Sequence, residues 1–366
     1  MPLLPPSSKS LTYTSPSTPP HLTYLPLKPP ARNELLVKTH FAAINPIDIQ
    51  LWSSPLIGLI AGKKEKGIGR DYSGTVVSVG EGLEGKWSVG DEVFGMAFRV
   101  VRLTTFFTGN GTFSEYVTVA ATDPIARKPR EWSFEQAAAV PLVVLTAFAV
   151  LEWLPKEDRR NGNGNGKRRV VVAGASGGTG MWCVQLAKKL FDCHVTAVCS
   201  GKNGDFVRRM GADEVVDYTS HDVAQTLLKS VEKDGKYDLY IDCVGGAEIF
   251  EHWTFLLHSY GAYVTIVGDK TSRTTVGGTM TYLTSPTQVF RYLLGFIRGP
   301  RYAVIEFKEK SEWLQKVATL AEEQEVEVVV QEVIKDVLKE GSDAWRRVFT
   351  LMEEGRVKGK IVVGID

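Results

Sequence analysis

Metal-ligating side chains are scarce in this sequence. Its 366 residues include four cysteines and six histidines. The cysteines (Cys183, Cys193, Cys199 and Cys243) form no CxxC pair, and no two histidines stand at a metal-ligand spacing. Zinc favours a tetrahedral set of soft thiolate or imidazole ligands, so no metal site is expected. A disulfide framework is equally absent, and free thiols fit a reducing compartment. An excess of one charge is lacking too. The 43 Lys and Arg balance 42 Asp and Glu to a net +1, which gives no reason to expect nucleic acid as a partner. No apolar run reaches the roughly 18–20 residues needed to span a bilayer, so no integral membrane segment is expected. The stretch from Met1 to Pro20 is rich in Pro and Ser, with no arginine before Arg32 and no long apolar core. It reads as neither transit nor signal peptide. Cytosol is the default expectation, with a mitochondrial address left open.

What is present changes in kind near residue 140. Before it, short apolar runs alternate with Gly and Pro: Glu34-Leu-Leu-Val-Lys-Thr, Gly74-Thr-Val-Val-Ser-Val-Gly, Asp91-Glu-Val-Phe-Gly and Phe113-Ser-Glu-Tyr-Val-Thr-Val. This spacing predicts a small twisted β-barrel. Ser133 to Leu154 reads as one long apolar helix, with Ser133 as its cap and Gln136 three residues on. Asn161-Gly-Asn-Gly-Asn-Gly reads as a surface loop. Strand-like runs then alternate with helical ones. The strands start at Arg169, His194, Glu214, Tyr237 and Ala262, with a sixth at Tyr302-Ala-Val-Ile-Glu-Phe. Continuous β-branched runs joined by helices predict a doubly wound parallel sheet. After it come a helix near 309–322, an extended run near 325–334, a helix near 342–355 and a last strand from Lys360. That strand falls after the parallel sheet is complete, so it is expected to rejoin the N-terminal barrel. The expected domains are therefore 1–140 with 309–366, and 141–308.

Val172-Ala-Gly-Ala-Ser-Gly-Gly-Thr-Gly180 follows a strand and opens a helix. A pyrophosphate needs backbone N–H groups at a helix N-terminus and no side chains in its way. Gly174 permits the tight turn, Gly177 the approach of phosphate, and Gly180 close helix–strand packing. Ser176, Gly178 and Thr179 complete the candidate contacts. The alternative is a plain structural turn. The second strand ends Val198-Cys-Ser-Gly-Lys-Asn203, with no Asp or Glu to accept from a ribose 2′-OH. Ser200, Lys202 and Tyr218 are donors suited to a 2′-phosphate. One charge-assisted hydrogen bond contributes roughly 1.5–3 kcal/mol, about tenfold or more in affinity. NADPH is accordingly expected over NADH, against the plainer reading of a loop with an exposed lysine. Asn203 and Val244 complete the candidate cofactor set.

Several stretches together resemble the zinc-independent medium-chain dehydrogenase/reductases, in particular their NADPH quinone oxidoreductase branch. They are Asn45-Pro-Ile-Asp48, Gly69-Arg-Asp-Tyr-Ser-Gly74, Val89-Gly-Asp-Glu-Val-Phe-Gly95, Ala137-Ala-Ala-Val-Pro141, Leu145-Thr-Ala-Phe148, the 174–180 turn and Met210-Gly-Ala-Asp-Glu-Val-Val-Asp-Tyr218. The resemblance implies an α/β chain: a GroES-like split β-barrel domain plus a Rossmann doubly wound parallel sheet. It also implies a possible homodimer across the edge of that sheet. Zinc-dependent relatives carry Cys where Ala43-Ile-Asn45 stands here and Gly-His-Glu around Arg70-Asp71, which departs from a zinc site. Asn45 and Asp48 match the family's active-site Asn and Asp, as candidate catalytic residues; their plainer role is a turn and its cap. Thr146 resembles the threonine that lies against nicotinamide and ribose, and Val267 and Gly268 are expected to hold the carboxamide. Gln50 stands where several quinone reductases carry tyrosine, so no general acid is assigned. Tyr72 reads as packing.

The implied reaction is hydride transfer from NADPH to a quinone or an α,β-unsaturated carbonyl (enone). An enoyl-thioester reductase and an NADPH-binding sensor without turnover are the alternatives. The segment from Tyr282 to Ile297 is unusually aromatic and apolar; it reads as a pocket wall, a dimer surface or a lipid contact.

Overall fold

The computed structural model describes residues 4–55, 62–97, 111–156, 166–269 and 285–365. Residues 161–165 of the Asn-Gly loop and 282–284 at the head of the apolar segment lie outside these. Among the described residues the chain forms two compact units: one runs to Leu145 and resumes at Glu309, the other takes Thr146 to Lys308.

The first unit is built on β1 (Ser7–Tyr13), β2 (His21–Pro26), β3 (Glu34–Ala43), β4 (Lys66–Gly67), β5 (Asp71–Val79), β6 (Glu92–Met96), β7 (Tyr116–Ala120) and β8 (Ile125–Arg127). The second contains β9 (Arg169–Ala173), β10 (His194–Cys199), β11 (Glu214–Asp217), β12 (Tyr237–Asp242), β13 (Leu257–Thr265) and β14 (Arg301–Val304). The tail returns β15 (Val330–Ile334) and β16 (Lys360–Gly364) to the first unit.

In the first unit one sheet has the order β15-β16-β3-β5-β6-β8, with β7 also on β3, and a smaller one the order β2-β1-β4. Long β3 is the hub because its alternating residues pack inward: Leu35 and Val37 join Tyr72, Val93, Val117 and Val119 in one core. The last strand does rejoin the barrel, antiparallel to β3, with Val362 opposite Ala43. Ile361 and Val363 then enter a second core with Ile44, Ile49 and Phe349. Of the extended run expected at 325–334, only Val330–Ile334 forms a strand.

The helix expected from Ser133 to Leu154 is two helices, Phe134–Ala138 and Pro141–Leu151. The cap is as expected: the Ser133 Oγ accepts from the Gln136 N–H at 3.3 Å, and the Gln136 Oε1 accepts from the Ser133 N–H at 3.0 Å. Pro141 causes the break. It lacks an N–H and disfavours helical backbone in the residue before it, yet suits the first position of a new helix.

The second unit is one parallel sheet of order β11-β10-β9-β12-β13-β14. All five residues of β9 are buried, as a central strand covered on both faces requires. Chain direction across the sheet reverses between β9 and β12, the switch point where ligands of such sheets bind beyond the strands' carboxyl ends. The strand at 301–304 is its edge.

Candidate functional site

Beyond β9 the backbone turns sharply at Gly174, whose φ is +74°. A side chain there would be strained, and its Cβ would meet Val244 Cγ2 at 2.8 Å. Gly180 is constrained by space: a Cβ would stand 2.1 Å from the Gly174 carbonyl oxygen. Between them Gly177 is the N-cap of the helix Gly178–Lys189 and supplies no side-chain cap. The first N–H groups of a helix have no partner inside it, so this bare terminus is suited to an anion. Glycine at 174 and 180 thus fits the backbone cradle that a pyrophosphate requires.

At the end of β10, Ser200 leads into the single turn Gly201–Asn203. The Asn203 Nδ2 donates to the Ser176 Oγ at 3.0 Å, so the phosphate turn and the second-strand turn are joined. Lys202 and Tyr218 are both exposed, Tyr218 at 59 %. The next strand end supplies a residue that sequence reasoning missed. Asp217 accepts from the Thr219 N–H and hydroxyl at 2.9 and 2.7 Å and from the Ser220 hydroxyl at 2.9 Å. Those bonds, with one from the Gly201 backbone, hold its carboxyl down at about 2. The expectation of a socket free of carboxylate is therefore corrected: β10 ends without one, but Asp217 sits against Gly201. Its oxygens are engaged by donors of its own turn.

Two further strand ends carry paired turns. The buried Asp242 accepts from the N–H groups of Val244 and Gly245 at 2.9 and 2.8 Å, and burial pushes its carboxyl up. The Thr265 Oγ1 accepts from the N–H groups of Val267 and Gly268 at 3.1 and 2.9 Å. These side chains shape the loops by local hydrogen bonds, and neither was singled out from sequence. Thr146 lies in the helix Pro141–Leu151 and is almost wholly buried.

The first unit holds a buried polar cluster. The Asn45 N–H donates to Asp48 Oδ2 at 2.8 Å, closing the start of the helix Pro46–Ser53. The Asn45 Nδ2 donates to Asp71 Oδ2 at 2.8 Å, and its Oδ1 accepts from Lys360 Nζ at 2.5 Å. Lys360 also donates to the Ile44 carbonyl at 3.0 Å and pairs with Asp71 at 3.4 Å, while Asp71 Oδ1 accepts from the Leu142 N–H at 2.9 Å. Asn45 and Asp71 are fully buried. Burial draws Lys360 down and Asp71 up, each toward its neutral form, and their mutual attraction opposes this. Burial likewise raises Asp48 to about 6, against the nearby Arg70 charge. Its Oδ1 has no partner among the described residues.

Asn45, expected to donate to a substrate oxygen, thus has its amide engaged on both sides and no exposed surface. The turn-and-cap role describes it and Asp48 better. Gln50 is buried, Trp52 packs edge-on against Phe349, and Tyr72 lies wholly in the core with a raised hydroxyl pKa. Among the described residues no group of three or more His, Cys, Asp or Glu side chains is placed to hold a metal ion. No described helix is long and apolar enough to cross a membrane.

Comparison with known proteins agrees with this architecture. Residues 31–130 match the model of the alcohol dehydrogenase GroES-like domain, and residues 210–363 that of the zinc-binding dehydrogenases. The chain is 32 % identical to the mitochondrial NAD(P)H oxidoreductase RTN4IP1 of Bos taurus, over 91 % of this chain and 82 % of that protein. Two solved structures share the fold. The quinone oxidoreductase from Coxiella burnetii has a TM-score of 0.74 at 23 % identity, covering 98 % of this chain and 100 % of its own. The Escherichia coli quinone oxidoreductase complexed with NADPH has a TM-score of 0.70 at 22 % identity, covering 97 % and 99 %.

Proposed function

The chain belongs to the medium-chain dehydrogenase/reductase family, in the oxidoreductase branch that includes the quinone oxidoreductases, and from that premise we propose that it is an NADPH-dependent reductase of quinones or α,β-unsaturated carbonyls. The observation that carries the reading is the pair of joined turns at the carboxyl edge of the parallel sheet. One is a bare glycine turn; the other presents Ser200 and Lys202. In this reading Gly174, Ser176, Gly177, Gly178, Thr179 and Gly180 hold the pyrophosphate by backbone and short side chains. Ser200, Lys202, Asn203 and Tyr218 take the 2′-phosphorylated ribose, and Asp217, whose acceptors are already engaged, stands behind Gly201. Thr146, Val244, Val267 and Gly268 line the nicotinamide end, with Asp242 and Thr265 setting the shape of their loops.

When bound, the reduced nicotinamide supplies the hydride. The chain's own residues orient the reactants. Asn45 and Asp48 are assigned a positioning role in place of direct contact: with Asp71 and Lys360 they fix the start of the helix Pro46–Ser53. The Bos taurus relative's name places that protein in the mitochondrion, an address the proposal accommodates as readily as the cytosol.

The test is spectrophotometric. Absorbance of NADPH, then of NADH, is followed against quinones, enones and enoyl thioesters. Consumption of NADPH with quinones or enones is expected. Turnover confined to enoyl thioesters would redirect the assignment, and tight NADPH binding with no turnover would point to a sensor. Lys202→Ala is expected to weaken NADPH by about tenfold or more and to leave NADH nearly unchanged. Equal losses for both cofactors would refute the 2′-phosphate assignment.

A further inference from the structure

In sheets of this kind an Asp or Glu at the end of the second strand accepts from the ribose 2′-OH of NAD. Here β10 ends at Cys199 without one, but its neighbour β11 ends at Asp217, and the two residues stand level in the parallel register. The Tyr218 N–H donates to the Cys199 carbonyl at 3.2 Å and ties the two ends together. The carboxylate reaches across the gap: a Cβ on Gly201 would stand 2.4 Å from Asp217 Oδ2. An acceptor suited to a ribose hydroxyl therefore lies one strand from its usual place, against the residue between Ser200 and Lys202.

That acceptor is filled. An ionised carboxylate offers about four lone-pair sites, and four donors meet them. Oδ1 accepts from the Thr219 N–H and hydroxyl at 2.9 and 2.7 Å, Oδ2 accepts from the Ser220 hydroxyl at 2.9 Å, and the Gly201 N–H makes the fourth bond. These bonds hold the carboxyl at about 2, so at neutral pH it is ionised, and only occupancy withholds it from a ligand. The Thr219 N–H bond alone would shape the turn. The two hydroxyls do more, because they close the positions that a ribose could otherwise use.

We propose that Thr219 and Ser220 are specificity-determining residues: by saturating Asp217 they withhold the acceptor that would bind NADH and leave the socket to a 2′-phosphate. The inference rests on the cofactor site proposed above and extends it to a pair of hydroxyls outside that site.

The experiment is calorimetric titration of the full-length protein with NADPH and with NADH, and the unaltered chain is expected to prefer NADPH. Thr219→Val with Ser220→Ala keeps Asp217 and the backbone donors while freeing two acceptor positions. NADH affinity is expected to rise by about tenfold or more, with no rise for NADPH, whose phosphate would face the bared charge. Adding Asp217→Ala is expected to cancel the gain. Thr219→Ser with Ser220→Thr, which keeps both hydroxyls, is expected to match the unaltered chain. Thr219 and Ser220 are exposed, so melting temperatures without ligand are expected to stay close to that of the unaltered chain. Ser220→Ala alone, the mildest change, is expected to shift the preference in the same direction by a smaller factor. An unaltered chain that binds neither dinucleotide would refute the cofactor site and this inference with it. A chain that prefers NADPH, but whose double variant gains no affinity for NADH or gains it equally without Asp217, would overturn the specificity assignment alone.

Discussion

Lys360 and Asp71 are 289 positions apart in the chain and meet at 3.4 Å. That separation hid the pair from sequence reading, whereas Asn45 and Asp48 were candidates because they match the family's active-site Asn and Asp. Lys360 holds the Asn45 side chain, the Ile44 carbonyl and Asp71 at once. Removing one partner of a buried ion pair leaves the other charge uncompensated, at a cost of about 3–5 kcal/mol. Lys360→Met is therefore expected to lower unfolding stability by about that amount in urea titration, and Lys360→Met with Asp71→Asn to lower it less than the single change. Asp48 gives a pH-dependent counterpart. Its folded pKa is about 6, raised from 3.8, so the folded state binds its proton more tightly than the unfolded state does. Its contribution is lost as pH rises from about 4 to 6, by about 3 kcal/mol for a shift of this size. Asp48→Asn retains an acceptor for the Asn45 N–H and removes the titration. The difference in stability between the two chains is expected to change in that pH window and to be flat above it.

At the scale of elements, what was legible was what is local. The turn 174–180 is read within seven consecutive residues, because the strand, the tight turn and the helix terminus each demand glycine at a set place. The capping box at Ser133 and Gln136 is local in the same way. Less legible was the break at Pro141, where apolar continuity outweighed the backbone rule for proline. Asp217 was hidden for another reason: it reaches the Gly201 turn from a neighbouring strand, and only the pairing of Cys199 with Asp217 brings the two ends level. Gly180→Val tests the turn. Its Cβ would overlap the Gly174 carbonyl, so NADPH is expected to lose its stabilising effect on the melting temperature. Where the unaltered chain gains about 2.7 kcal/mol at a hundredfold excess over Kd, this variant is expected to gain close to none.

Taken whole, the sheet orders follow from two kinds of pattern, alternation in the barrel and unbroken β-branched runs in the parallel sheet, and both are written in the sequence. Which strands become neighbours is not, except where a strand has nowhere else to go. That was the case for Lys360–Gly364. Because Val362 lies against Ala43, about 300 residues must be synthesised after β3 before its last neighbour exists. At roughly 5–20 residues per second, the barrel waits for tens of seconds on the ribosome, while every strand of the parallel sheet has already emerged. Nascent chains stalled far enough beyond Lys308 for Arg301–Val304 to have left the exit tunnel, but before Lys360, are thus expected to resist protease across 166–269 and to be cut readily across the N-terminal strands. This order of maturation makes the inserted half the first to be able to take up ligand.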